Sequence, residues 1–275
     1  MKRAHASMMA LAIAACGGAT TPAHDARAEW DAWRAERRQE LVGPEGWLSL
    51  VGLFWLEPGE HTIGSDPASD YALPSGPAQL GRIVVGDDVR FVGEHDEMLG
   101  TSPIAIGSFR LMLIERGGRT ALRVRDVDAP ARTSFGEIPV YPFDPAMQIR
   151  AHVRAPEPGR MLSLVNVLGM QVDEPCTALI DLTIDGHAIT LAASDDGEGG
   201  SFVMLRDATS GSETYGAGRY LSVPAAIDGE TRVDLNRLYT PPCGYTSLAT
   251  CPLPPEENVL AEIPIRAGER YESHP

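Results

Sequence analysis

The sequence predicts an all-β protein of antiparallel sandwich or barrel units, preceded by one amphipathic helix. Three observations carry this. After Gly43 and Pro44, apolar residues recur with period two, the signature of half-buried strands. The dipeptides Gly117-Gly118 and Asp185-Gly186 sit between such runs, where tight hairpin turns need positive φ. Strands do not alternate with helical segments, which argues against a parallel α/β sheet. The chain has 275 residues, enough for one large domain or two small ones. Hydrophobic residues make up 43% and charged residues 22%, as in globular proteins, so wholesale disorder is excluded.

The first element is a leader. Lys2 and Arg3 precede the apolar run MMALAIAA at residues 8–15, too short to span a bilayer, which takes roughly 20 residues. It fits the core of a secretory signal. The small residues Ala14 and Ala15 before Cys16 resemble the bacterial lipobox, in which the cysteine thiol is acylated and becomes the new N-terminus. That implies an exported protein anchored to a membrane through lipid on Cys16, with residues 1–21 as signal and tether. Gly17, not an aspartate, follows Cys16, which by the same analogy points to the outer membrane, facing the periplasm or the cell surface. The alternative is an ordinary cleaved signal with an incidental cysteine.

Residues 22–42 hold the helix. Ala26, Trp30, Trp33 and Leu41 fall near one face, a packing stripe against a sheet, and Gly43-Pro44 stops it. Strands are then expected at residues 109–115 and 120–126, at 147–153 with Met147, Ile149, Ala151 and Val153 on the apolar side, at 177–184 and 187–193, and at 201–206, 215–223 and 231–235. Prolines 139, 142 and 145 make Tyr141 to Pro145 a loop rather than a central strand. A first β unit over 43–150 and a second over 151–275 are expected, with one continuous domain as the alternative.

Charge narrows the partners. The formal net charge is −15, which argues against nucleic acid. The single lysine is Lys2, in the leader. The mature chain thus lacks a phosphate-loop lysine, a Schiff-base lysine and a lysine general base. No GxSxG or HExxH motif occurs, and the histidines are scattered. The acidic turns around His95 and at residues 195–200 read as solvated loops, not metal sites. No cofactor is implied. Cys243 and Cys251, with seven residues between them and prolines on either side, read as a disulfide in an oxidising compartment, with free thiols and a metal site as the alternatives.

Two resemblances add to this. Residues 56–74, LEPGEHTIGSDPASDYALP, resemble the opening of forkhead-associated domains, which implies a related sandwich without phosphopeptide function or, alternatively, just a hairpin, since Ser65 stands where those domains carry the arginine that pairs phosphate. More specific are RDATSG, ETYGAGRY, the N-x-x-Y-x-PPC segment at 236–243 and CPLPPEEN at 251–258. With EGWLSLVGLFWLEPGEHTIGSDP and SFGEIPVYPFDPAMQIRAHVRA they identify the chain as similar to the prokaryotic family named domain of unknown function 1684. Thr240 stands where that pattern more often has asparagine. The resemblance implies no reaction. Carried over residue by residue, it marks a polar cluster. Asp207, Glu213 and Asp234 are its candidate acids or bases. Arg206, Tyr215, Arg219, Tyr220, Asn236, Tyr239 and Asn258 are its candidate ligand-binding residues. Three readings follow: a C-terminal pocket for a small or saccharide-like ligand or a partner protein, an envelope hydrolase with an arginine clamp, or a scaffolding lipoprotein.

Overall fold

The structure is a computed structural model that describes residues 25–272, so Cys16 and the leader lie outside the described residues. The helix α1 spans Ala26–Val42. Asp25 caps it by accepting the Ala28 N–H at 3.1 Å, and Gly43 ends it by donating to the Gln39 carbonyl. Its buried face is Trp30, Arg37 and Leu41. The Trp30 indole donates to the Asn236 carbonyl at 2.9 Å, whereas Ala26 and Trp33, also expected on the packing stripe, are only half-buried. No helix among the described residues is long and apolar enough to cross a membrane.

Nine strands follow: β1 (Leu50–Trp55), β2 (Gly59–Gly64), β3 (Tyr71–Ala72), β4 (Gly81–Val85), β5 (Val89–Val92), β6 (Asp96–Met98), β7 (Ile104–Ile106), β8 (Phe109–Arg116) and β9 (Arg119–Asp126). They form a four-stranded sheet in the order β1-β9-β8-β7 and a five-stranded sheet in the order β3-β2-β4-β5-β6. Ile63, Ile83 and Phe91 from one sheet and Leu111, Leu122 and Val124 from the other share one core, which makes a sandwich. The β8–β9 hairpin turns at Gly117 and Gly118, with φ of 55° and 72°, as the glycine pair predicts.

After the short helix α2 (Pro130–Thr133) the chain runs through β10 (Gln148–Arg154), β11 (Met161–Val165), β12 (Gln171–Pro175), β13 (Ala178–Ile184), β14 (His187–Asp195), β15 (Ser201–Asp207), β16 (Arg219–Val223), β17 (Glu230–Asp234) and β18 (Val259–Leu260). Six of these make a sheet in the order β16-β15-β14-β13-β10-β17, with β18 added parallel to β15. Strands β11 and β12 form a separate hairpin. One face of the large sheet buries Ile180, Leu191, Leu205, Leu221 and Val233 under the C-terminal segment that carries Ile263, Ile265 and Ala267. The other face packs Leu179, Met204 and Tyr220 against the β11–β12 hairpin and Cys251.

One sequence expectation needs correction. Residues 215–218 are a turn, not the start of a strand: Gly218 donates to the Tyr215 carbonyl and has φ of 101°. Residues 150 and 151 both lie in β10, which pairs with β13 and β17 in the large sheet.

Candidate functional site

The candidate residues of the C-terminal half sit at strand ends and connections of the large sheet. Arg219 opens β16 on the same side as Leu221 and Val223, and that parity turns its guanidinium inward. It is fully buried. One terminal nitrogen donates to Asp207 at 2.7 Å and to the Ile265 carbonyl at 2.8 Å; the other donates to the Ala267 and Glu269 carbonyls. Asp207, also buried, closes the arrangement by accepting from the Thr209 N–H and hydroxyl and from the Ile265 N–H. The pair therefore ties the segment 265–269 across the end of the sheet.

The remaining candidates are likewise engaged. Glu213 takes a two-pronged contact from Arg266 and accepts the Tyr141 phenol at 2.9 Å. The Arg266 and Tyr141 bonds hold its carboxyl below the usual range. Asp234 accepts from the Gln148 amide, from the Asn236 N–H and from the Asn236 side chain. Asn236 in turn clips the Asp144 backbone at both its N–H and its carbonyl. Asn258 is fully buried and bonds the Ala192 N–H, the Ala192 carbonyl and the Met204 carbonyl. Tyr220 donates to the Pro252 carbonyl at 2.6 Å, and Tyr215 donates to the Cys243 carbonyl at 3.0 Å. Tyr239 meets the Tyr220 ring edge-on at 5.8 Å and lies under the Arg37 guanidinium at 4.6 Å. Burial pushes the Tyr239 phenol up to about 12. Arg206, on the opposite face of β15 from Asp207, is exposed.

The structure thus brings together Asp207 with Arg219, Asp234 with Asn236, and Tyr220 with Tyr239. Open grooves lie elsewhere. One of about 500 Å³ is lined by Thr62, Asp66, Gln79, Arg82 and Glu94 in the sandwich. Another of about 580 Å³ runs over Arg150, His152, Asp181, Thr190 and Glu230 on the large sheet. Among the described residues no three histidine, cysteine or acidic side chains are grouped to hold a metal ion.

Cys243 and Cys251 are free thiols here, not the expected disulfide. The loop brings them side by side: the Cys243 N–H donates to Cys251 Sγ at 3.3 Å. A side-chain bond between the two thiols pulls Cys243 down and, together with burial, pushes Cys251 up, against the opposing pull of the Cys243 N–H. Cys176 is also free and is buried.

Two clusters escape the sequence reading. Arg37 on α1 is buried against Glu269, with Nε to the carboxylate at 3.0 Å. Glu269 also accepts the Thr240 N–H at 2.7 Å and the Tyr245 phenol at 3.0 Å. Burial opposes the Arg37 charge, but Glu269, Tyr245 and Glu40 outweigh it and hold the guanidinium above its ordinary value. Position 240 acts through its backbone, since its carbonyl accepts from Arg37, so threonine serves there in place of asparagine. The signal was an arginine on the apolar stripe of the helix, one turn from Leu41. The second cluster is Arg116, Arg123 and Arg125 on β8 and β9, beside Trp47.

A family model described as a protein of unknown function, DUF1684, matches residues 133–270. That span contains every candidate of the C-terminal cluster. Among solved structures the chain is similar to the solution NMR structure of an uncharacterized protein from Haloarcula marismortui, at 32% identity, over 50% of this chain and 78% of that one, with a TM-score of 0.42. No curated protein matches the chain.

Proposed function

The chain belongs to the DUF1684 family of unknown function, and we propose that it is an exported, lipid-anchored envelope protein whose C-terminal half is a non-catalytic scaffold. The observation that carries this is the engagement of all three candidate acids. Asp207 faces Arg219, Glu213 faces Arg266 and Tyr141, and Asp234 faces Gln148 and Asn236. A general acid at neutral pH needs its pKa raised by burial or by a like charge. Glu213 is shifted the opposite way, by Arg266 and then Tyr141. The leader, with Cys16 after its short apolar run, supports the anchor.

The scaffold reading has a direct test. Catalytic and ligand-binding polar residues are commonly kept at the expense of stability, so their removal stabilises or is neutral. Structural ties behave the other way. Asp234→Asn and Glu213→Gln should each lower the melting temperature; a rise in either would overturn the reading. For the anchor, Cys16→Ser expressed in a bacterial host should move the protein from the membrane to the soluble fraction. Retention in the membrane would refute it. In an oxidising compartment Cys243 and Cys251 are expected to bond, and intact mass under non-reducing conditions reads the loss of the two thiol hydrogens.

A further inference from the structure

Strands β8 and β9 carry five arginines on one face of the four-stranded sheet. Cross-strand register pairs Arg110 with Arg125, Met112 with Arg123, and Arg116 with Arg119, while Leu111, Leu122 and Val124 fill the sandwich core on the other side. Among the described residues none of these five arginines has a carboxylate within 4.0 Å, in a chain where acids outnumber bases 38 to 23.

Part of this face is not open to water. Trp47 and the loop carrying Thr250 and Cys251 cover it, and Arg123 is only 6% exposed. Its Nε is buried without a hydrogen-bond partner. The Arg123 and Arg125 guanidinium groups both lie 5.6 Å from the centre of the Trp47 ring. Arg116 reaches the same seam and donates to the Thr250 hydroxyl at 3.2 Å. Arg125 is positioned by the Gly46 carbonyl at 2.6 Å and by Ser49; the carbonyl of the exposed Glu45 also accepts from it. A buried cation that lacks a counter-charge is costly and calls for one. The adjoining Cys251 thiol does not supply it: its bond with Cys243 and its burial push it up, so it stays neutral. Burial, Arg125 and Arg116 together press the Arg123 guanidinium down to about 10, still cationic at neutral pH.

We propose that Arg116, Arg123 and Arg125, walled by Trp47, form a binding site for a phosphate group in the seam between the four-stranded sheet and the loop at 250–251. Three separate guanidinium forks serve a tetrahedral dianion better than a planar carboxylate, which a single fork satisfies. Inorganic phosphate and phosphate monoesters share this chemistry.

The test uses the full chain, purified in phosphate-free buffer at fixed ionic strength set with chloride. Inorganic phosphate, glycerol 3-phosphate and acetate are titrated by calorimetry and by thermal shift, since a ligand of the folded state raises the melting point saturably. The expected result is a saturable response to a phosphate-bearing probe and none to acetate. A stronger response to glycerol 3-phosphate than to inorganic phosphate assigns the site to a monoester, and the reverse assigns it to the free ion. Arg123→Met should weaken binding about tenfold or more, the loss of a charge-assisted contact. If that variant does not fold, Arg116→Gln, at the exposed rim, should weaken it in the same direction with an unchanged melting point in chloride. Absence of any saturable phosphate response, or binding unaltered in the variants that fold, overturns the proposal. Neither outcome bears on the C-terminal scaffold, which shares none of the three arginines.

Discussion

Replacing Arg219 by methionine separates a structural tie from a ligand clamp. Methionine keeps much of the stem volume and removes the charge and its donors. The variant leaves Asp207 buried with only Thr209 and the Ile265 N–H as hydrogen-bond donors. It also strips donors from the carbonyls of Ile265, Ala267 and Glu269. Breaking a buried ion pair from one side costs about 3–5 kcal/mol, because the surviving charge stays uncompensated. For a chain of this size that corresponds to a fall in melting temperature of roughly 6–20 °C. Neutralising the survivor should recover part of the loss, so Arg219→Met with Asp207→Asn should be less destabilised than the sum of the single variants. Urea denaturation of the four proteins in a double-mutant cycle reads the coupling directly. A loss below about 1 kcal/mol for Arg219→Met, or purely additive single variants, would refute the argument that this pair locks the C-terminal segment.

Three further outcomes follow from the same structure. All seven tyrosines (71, 141, 215, 220, 239, 245 and 271) have phenols raised by burial first of all, Tyr141 and Tyr239 to about 12. Folded values above unfolded ones mean stability that is complete below the unfolded pKa and is lost as pH rises toward the folded values. Stability should therefore fall between about pH 10 and 12, by about 1.4 kcal/mol per pH unit for a phenol as deeply buried as Tyr220, measured by urea midpoints alongside phenolate absorbance. Phenolate appearing for all seven near pH 10 while the chain is still folded would contradict this. Asn258→Ala should cost about 2–3 kcal/mol in urea denaturation, because it orphans buried backbone groups of Ala192 and Met204; a change within experimental scatter would place the amide outside the stabilising set. Gly268→Ala should destabilise by more than about 1 kcal/mol, since φ is 76° and the new Cβ would press on the Leu238 carbonyl; an unchanged melting curve would show that the backbone relaxes freely there.

The hairpins were legible because a turn needing positive φ leaves a local mark. Asp185 and Gly186, at φ 48° and 83°, join β13 and β14 where the dipeptide requires. The run at 215–223 was less so. Its aromatic and small residues read as strand, but Gly218 approaches the Leu205 carbonyl at 2.5 Å from its would-be Cβ, a closeness that only a glycine turn permits. The candidate cluster was legible as polar residues and not as ties, since nothing local tells whether a guanidinium faces a ligand or a carbonyl 46 residues away. Parity held a clue: Arg219 shares the inward face of β16 with Leu221 and Val223.

The same parity argument explains why the arginine seam stayed hidden. In β9 the residues Thr120, Leu122 and Val124 alternate with Arg119, Ala121, Arg123 and Arg125, and an alternating strand is ordinarily read as apolar inward and polar to water. Here both faces are covered, and Ala121 on the arginine face is fully buried. The covering comes from Trp47 before the strand and from Thr250 far beyond it, a long-range event without local signature. The two halves consequently treat buried arginine in opposite ways. Arg219 and Arg37 each meet a buried carboxylate and backbone carbonyls, so their charge is neutralised from within. Arg123 meets two other arginines and an aromatic ring, and among the described residues no carboxylate lies within 4.0 Å of it.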